Sequence, residues 1–375
     1  MTRGRRWTLV ALGVALLVAV PLVLRARPVT EPGIAAAVLL EKAQGSSSVP
    51  YSGYVEATGS LRLPVADDFT DIGDLLGGET TMRVWWRGES DWRVDTLSTT
   101  GETDLVHDGS VTTVWDYESN KATRTSDPAI RLPRSSDLLP PELARRMLED
   151  ATADEVAPLS ARSVAGVTAA GFRLTPGERQ ASISQVDVWV DPGSGLPLAV
   201  EVYGDGESTP AVASRFADVS LSRPSAERTG LALAPGAQRD DDDVLDIADA
   251  ANQFAPFRAA QTLAGLDRRD TQLGFGAVGV YGSGPTLLAA IPLWDRAAGP
   301  LREQLAVTPG AVVGPHGTGL AVGPLTLRLT TQGRDGISFL VAGTVTPSTL
   351  RAAARQLDRR LERPRSRRPD APAPD

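Results

Sequence analysis

Apolar and polar residues alternate most regularly between residues 80 and 125, and the rest of the chain is organised around that stretch. Met82, Val84 and Trp86 alternate with Arg83, Trp85 and Arg87, the period of two that gives a strand one apolar face. Gly88-Glu89 turns the chain into Trp92-Arg93-Val94-Asp95, which alternates again. Asp108-Gly109 signals a hairpin, because Asp-Gly suits the φ > 0 positions of a type I′ turn. Val111, Thr113, Trp115 and Tyr117 then share a face, and Glu118-Ser119-Asn120 makes the next turn. Five short strands in such a meander predict a curved antiparallel sheet with one aromatic-rich face.

The flanking pattern fills in an α+β chain. Ile34 to Gln44 reads as a helix with Ile34, Val38 and Leu39 on one side and Gly45 as its stop. Tyr51 to Leu63 alternates, and residues 64–79 read as a loop or a short helix around Phe69 to Leu76. Pro140-Pro141 opens a helical insertion, proline being well placed in a first turn. Strands resume at Ala161–Val164, Ala170–Leu174, Gln185–Val190, Leu198–Tyr203 and Ala213–Val219, with Pro-Gly-Ser-Gly turning the chain at 192–195. Residues 34–221 thus form a first module, and 222–243 a linker poor in periodicity. A smaller α+β module covers 244–361, and 362–375 is a Pro/Arg tail without a folding pattern.

Residues 7–24 are uncharged and would span roughly 27 Å as a helix. Arg3, Arg5 and Arg6 precede them, which by the positive-inside rule leaves residues 1–6 in the cytoplasm and the bulk of the chain outside. The expectation is a single-pass anchor in the cell membrane; the alternative is a cleaved signal peptide and a secreted protein, although no small-x-small site follows. There is no cysteine, which excludes disulfides, thiolate chemistry and a lipidated cysteine. The net charge of −8 argues against a nucleic-acid partner. Lys42 and Lys121 are the only lysines, a bias that reads as a GC-rich bacterial genome such as an actinobacterium's and carries no mechanism.

Candidate chemistry is sparse. His107 sits by a hairpin turn and His316 in a Gly-Pro-rich segment, so both read as surface histidines without further metal ligands. Asp240 to Asp243 lack the spacing of a calcium loop and read as a helix N-terminus. The YGSGPT segment at 281–286 lacks the Lys-Ser/Thr of a phosphate loop and reads as a turn between strands. No acid–base pair, nucleophile or metal set can be assembled, so a non-catalytic protein with no cofactor is expected. Tryptophan is the positive signal: all but Trp7 and Trp294 fall between residues 85 and 189. Met82, Val84, Trp86, Trp92, Val94, Trp115 and Tyr117, joined by Val186, Val188 and Val190, are the candidate lining of an apolar cavity. The same residues equally fit a closed core.

Three segments carry a resemblance: VPYSGYVEATG (49–59) after a helix, WRVDTL with HDGSVTTVWDYESNKATR (92–97, 107–124), and VDVWVDPGSGLPLAVEVYG (186–204). In that order and spacing, residues 36–220 resemble the LolA/LolB and RseB-like superfamily of lipoprotein carriers and sensors. The resemblance implies an unclosed, curved antiparallel half-barrel with helices over its concave face, and a cavity for acyl chains between them. An anchor and a second module set this chain apart from a soluble shuttle and bring it nearest to the two-module RseB-like layout. Two functions follow as expectations. The first is a membrane-anchored extracytoplasmic sensor or carrier-like protein that binds an acyl chain, lipid or lipoprotein. The second is a protein–protein module of an envelope complex, with an anti-sigma factor or another membrane protein as partner, a closed core and no lipid ligand.

Overall fold

The computed structural model describes residues 31–61, 70–99, 101–126, 131–241, 251, 258–269, 276–333 and 336–357. The expected anchor at 7–24, the start of the second module at 244–250 and the tail lie outside the described residues. Among the described residues no helix is long and apolar enough to cross a membrane.

In chain order, α1 (Ala36–Gln44) precedes β1 (Tyr51–Gly59), and α2 (Thr70–Gly77) leads into the meander. The meander is β2 (Glu79–Gly88), β3 (Asp91–Leu97), β4 (Glu102–Asp108), β5 (Val111–Asp116) and β6 (Lys121–Ser126). After α3 (Pro140–Met147) come β7 (Val156–Val164), β8 (Val167–Leu174), β9 (Ile183–Val190), β10 (Pro197–Gly204) and β11 (Val212–Ser220). A single helical turn, α4 (Ala226–Thr229), and β12 (Gln238–Asp241) complete this module. The second module holds β13 (Thr262–Leu263), β14 (Leu266–Asp267), β15 (Gly279–Ser283), β16 (Thr286–Trp294) and α5 (Asp295–Val307). It ends with β17 (Val312–Gly314), β18 (Gly317–Val322), β19 (Leu325–Leu329), β20 (Ile337–Gly343) and α6 (Pro347–Leu357).

The class is α+β. Twelve strands form one sheet in the order β12-β6-β5-β4-β3-β2-β1-β11-β10-β9-β8-β7, antiparallel except where β12 runs parallel to β6. The two end strands do not pair, so the sheet is unclosed. It is also curled: β7 touches β11, four places away, which a flat sheet would hold about 19 Å apart. Trp189 donates to the Ser160 carbonyl at 3.0 Å and Arg162 reaches Glu201 at 2.8 Å across that curl. The second module is a separate six-stranded sheet, β15-β16-β20-β19-β18-β17. The modules are stitched by backbone, Thr346 N–H donating to the Gln180 carbonyl at 2.8 Å and Ser182 N–H to Thr344 at 3.2 Å.

Four local expectations are corrected. The buried face of α1 is Ala36, Leu39, Leu40 and Ala43, the i, i+3, i+4, i+7 set, while Val38 is exposed and Ile34 precedes the helix. At the β4–β5 hairpin only Gly109 has positive φ (69°), and it occupies the first central position, as in a type II′ rather than a type I′ turn. The linker is partly structured, since α4 buries Thr229 and Arg87 donates to the Pro224 carbonyl at 2.8 Å. Asp240 and Asp241 are in strand β12 rather than at a helix start, and Asp240 pairs with Lys121 at 2.9 Å.

Candidate functional site

The face covered by α1 and α3 carries a row of stacked rings. Register pairs Tyr51 with Trp86, Trp86 with Trp92, and Trp92 with His107, so four adjacent strands each contribute one ring. Centroids are 5.8, 5.7 and 5.2 Å apart and the planes lie 7°, 8° and 13° from parallel. Phe216 of β11 meets Tyr51 edge-on at 5.6 Å. Such contacts contribute about 0.5–1.5 kcal/mol per aromatic pair beyond area burial. Val55, Met82, Val84 and Val94 fill the rows beside the rings and are fully buried.

Residues 131–148 close this face. Pro140 and Pro141 start α3 where their missing N–H groups cost nothing, and Leu138 and Leu139 drop into the core just before it. Ser214 Oγ donates to the Leu138 carbonyl at 2.5 Å. Asp137 ties the segment down, accepting from both terminal nitrogens of Arg131 and from Arg146 at 2.7 Å each. Burial alone would raise the Asp137 carboxyl, but the Arg131 hydrogen bonds and the Arg146 charge hold it below the ordinary carboxylate range. Arg134 lies 5.7 Å over the Trp92 ring. Between rings and cover remains a void of about 10 Å³ walled by Ser47, Tyr51, Trp86, Pro141 and Glu142. The Tyr51 hydroxyl is buried there without a partner; burial first and the Glu142 charge second raise its pKa well above the ordinary phenol value.

The candidate lining residues divide. Met82, Val84, Trp86, Trp92 and Val94 stand together on this face. Val186, Val188 and Val190 share the face further along, under α1 and α3 beside Phe172 and Val200. Trp115 and Tyr117 do not. The two-residue turn pairs Asp108 with Val111, hence His107 with Thr112, which puts Thr112 and Val114 with the rings and Trp115 on the other side. Tyr117 follows the end of β5, is 61% exposed, and packs its ring against Trp115 at 5.3 Å.

That other face is electrostatic. Arg93 lies 5.7 Å from the Trp85 ring centre, bonds Asp95 at 2.5 Å and Asp104 at 2.7 Å. Asp95, Glu102 and Asp104 bring carboxylate oxygens within 4.8 Å of one another, and the Arg93 guanidinium already supplies a cation among them. Asp104 is raised to about 7, by burial first and then by the charge of Asp95. Its second oxygen and the indole N–H of Trp115, directly across the strand pair, are buried without hydrogen bonds. Further along the same sheet a polar cavity of about 370 Å³ is bordered by Glu56, Glu79, Arg162, Glu201 and Arg215, with ion pairs Glu56–Arg215 and Arg162–Glu201 in its wall. Ala57, Ala213 and three threonines stand among these charged groups, so the lining is mixed rather than the continuous apolar wall an acyl chain favours.

Sequence reading missed Tyr51, His107 and Phe216 as ring-row members. His107, expected on the surface, stacks on Trp92, and its Nδ1 lies 2.9 Å from Thr112 Oγ1. Counting back two residues from the Gly109 turn would have paired His107 with Thr112. Neither that count nor any other local signal brings Tyr51 and Phe216 beside the row.

No family model matches the sequence, and no curated protein does. Among solved structures, MucB in complex with MucA(peri) matches at 17% identity and a TM-score of 0.49, covering 85% of this chain and 97% of that one. The Pseudomonas aeruginosa MucA/MucB complex matches at 16% identity and 0.48, covering 85% and 96%. A LolA superfamily protein from Nitrosomonas europaea matches at 14% identity and 0.25, covering 53% of this chain and 99% of its own.

Proposed function

We propose that this chain is a non-catalytic, extracytoplasmic regulatory protein that works by binding a protein partner, held at the membrane by residues 7–24. The carrying observation is the closed ring face: among the described residues its aromatic side chains are packed, and the pocket between Tyr51, Trp86 and Pro141 holds only about 10 Å³. Ligand pockets that enclose a small molecule run to about 300–1,000 Å³, so this pocket does not admit an acyl chain on the ring face unless residues 131–148 swing away. The RseB-like resemblance of residues 36–220 names the partner class, an anti-sigma factor or another membrane protein. The polar second face and the docked second module supply surface for it.

Native mass spectrometry of the full-length chain from lipid nanodiscs, with photo-crosslinking in the cell envelope, tests this reading. The expected result is a protein mass without lipid and a crosslinked partner at defined positions. Stoichiometric lipid with no protein partner would overturn it in favour of a lipid or lipoprotein carrier.

A further inference from the structure

Arg328, in the middle of β19, is only 6% exposed, yet among the described residues no carboxylate pairs with it. Both of its hydrogen bonds leave from Nη1, to the Gly317 carbonyl at 2.9 Å and the His316 carbonyl at 3.5 Å. Nε is buried with no partner. The unused Nε–Nη2 edge is the one that grips a carboxylate with two parallel bonds. A buried guanidinium without a counter-charge is costly, so a chain that keeps one in this state has a use for the vacant edge.

The neighbouring strand makes way for the guanidinium. Cross-strand register places Gly319 beside Arg328, and a Cβ at 319 would lie 2.8 Å from Nη2, so only glycine leaves the guanidinium its place. Arg351 of α6 adds a second positive charge; burial first and Arg351 second lower the Arg328 pKa from its ordinary value. Next to Gly319 is Val312 of the sheet's end strand, and Val312 and Val313 are 64% and 70% exposed. A buried guanidinium edge without a partner, next to an exposed apolar strand end, suits a side chain carried on a polypeptide better than a free ion.

We propose that Arg328, supported by Arg351, is a carboxylate-binding site that takes an acidic side chain of the protein partner. The source of the carboxylate rests on the protein-binding function; the carboxylate chemistry does not. Sodium acetate is the first probe, titrated into the full-length protein while the Nε–H resonance of Arg328 is followed, with sodium chloride matched for ionic strength and inorganic phosphate alongside. Acetate is expected to shift that resonance saturably and chloride is not. Arg328→Lys keeps the charge but loses the fork, and should weaken acetate at least about ten-fold. Arg351→Gln, at an exposed position where folding is not at stake, should weaken it about two- to five-fold. An acetate response no greater than chloride's, or tighter binding of phosphate than of acetate, would overturn the site, while a captured partner would leave the protein-binding function standing. Saturable acetate binding combined with partner crosslinking unchanged by Arg328→Lys would overturn the partner as the carboxylate's source and assign the site to a small carboxylate.

Discussion

On one side of β2, β3 and β4, Trp86, Trp92 and His107 stack under a cover of the chain's own residues; on the other, at alternate positions of the same strands, Trp85, Arg93, Asp95 and Asp104 form a charged mesh. The two faces share every backbone hydrogen bond of these strands, so their difference is one of side chains alone. The ring face gains from burial and close packing and leaves a void of about 10 Å³. The charged face buries two carboxylates on one guanidinium and leaves an Asp104 oxygen and the Trp115 N–H without partners. Stability is concentrated on one side, and adaptable polar chemistry on the other.

Trp86 and Trp85 break that comparison most sharply. Trp86→Ala removes the centre of the ring row and should cost about 3–5 kcal/mol in urea unfolding, as large-to-small core substitutions do. Trp85→Ala, on partly exposed ground one residue earlier, should cost about 1 kcal/mol. Equal losses would mean that the covered face is not where the fold's stability resides.

Alternation within a strand is local, so the grouping of Met82, Val84 and Trp86, and of Trp92 and Val94, was readable from the chain. Placement of Trp115 was not, because it depends on parity carried through the 98–101 and 109–110 connections, and one residue more or less exchanges the faces. β12 was invisible for another reason: Gln-Arg-Asp-Asp has no apolar period, and its pairing with Lys121 to Arg124 is parallel and distant in sequence. Nor does any pattern announce that Leu138 and Leu139 close the ring face. Two leucines before two prolines look the same whether they plug a cavity or cap a helix.

The next effect is a pH dependence confined to the charged face. A folded-state pKa raised to about 7 makes protonated Asp104 the favoured form below that pH. Its contribution is therefore full below the unfolded carboxyl value of about 3.9 and is lost as pH rises through the folded value. Asp104→Asn holds the neutral form at every pH. Its stability relative to the parent should climb between about pH 4 and pH 7, by at most about 1.4 kcal/mol per unit, then level off. Urea midpoints at pH 5, 6, 7 and 8 check this, and a constant difference across the series would show that Arg93 keeps Asp104 ionised throughout.

The smallest effect is the most discriminating, because it compares one indole on each face. Trp86 Nε1 lies 3.4 Å from the Ser47 carbonyl, whereas Trp115 Nε1 is buried with no acceptor. Replacing either by phenylalanine removes ring area and the N–H together. For Trp86 both losses destabilise. For Trp115 the lost area is offset by release of an unsatisfied buried donor, a burden of about 1–3 kcal/mol. Trp115→Phe should accordingly lie within about 1 kcal/mol of the parent, with Trp86→Phe less stable than it by about 1–2 kcal/mol. Should Trp115→Phe be the costlier change, its indole N–H must be satisfied in solution, and Asp104, directly across the strand pair with a free oxygen, is the acceptor to examine by the pH series of a Trp115→Phe, Asp104→Asn double variant.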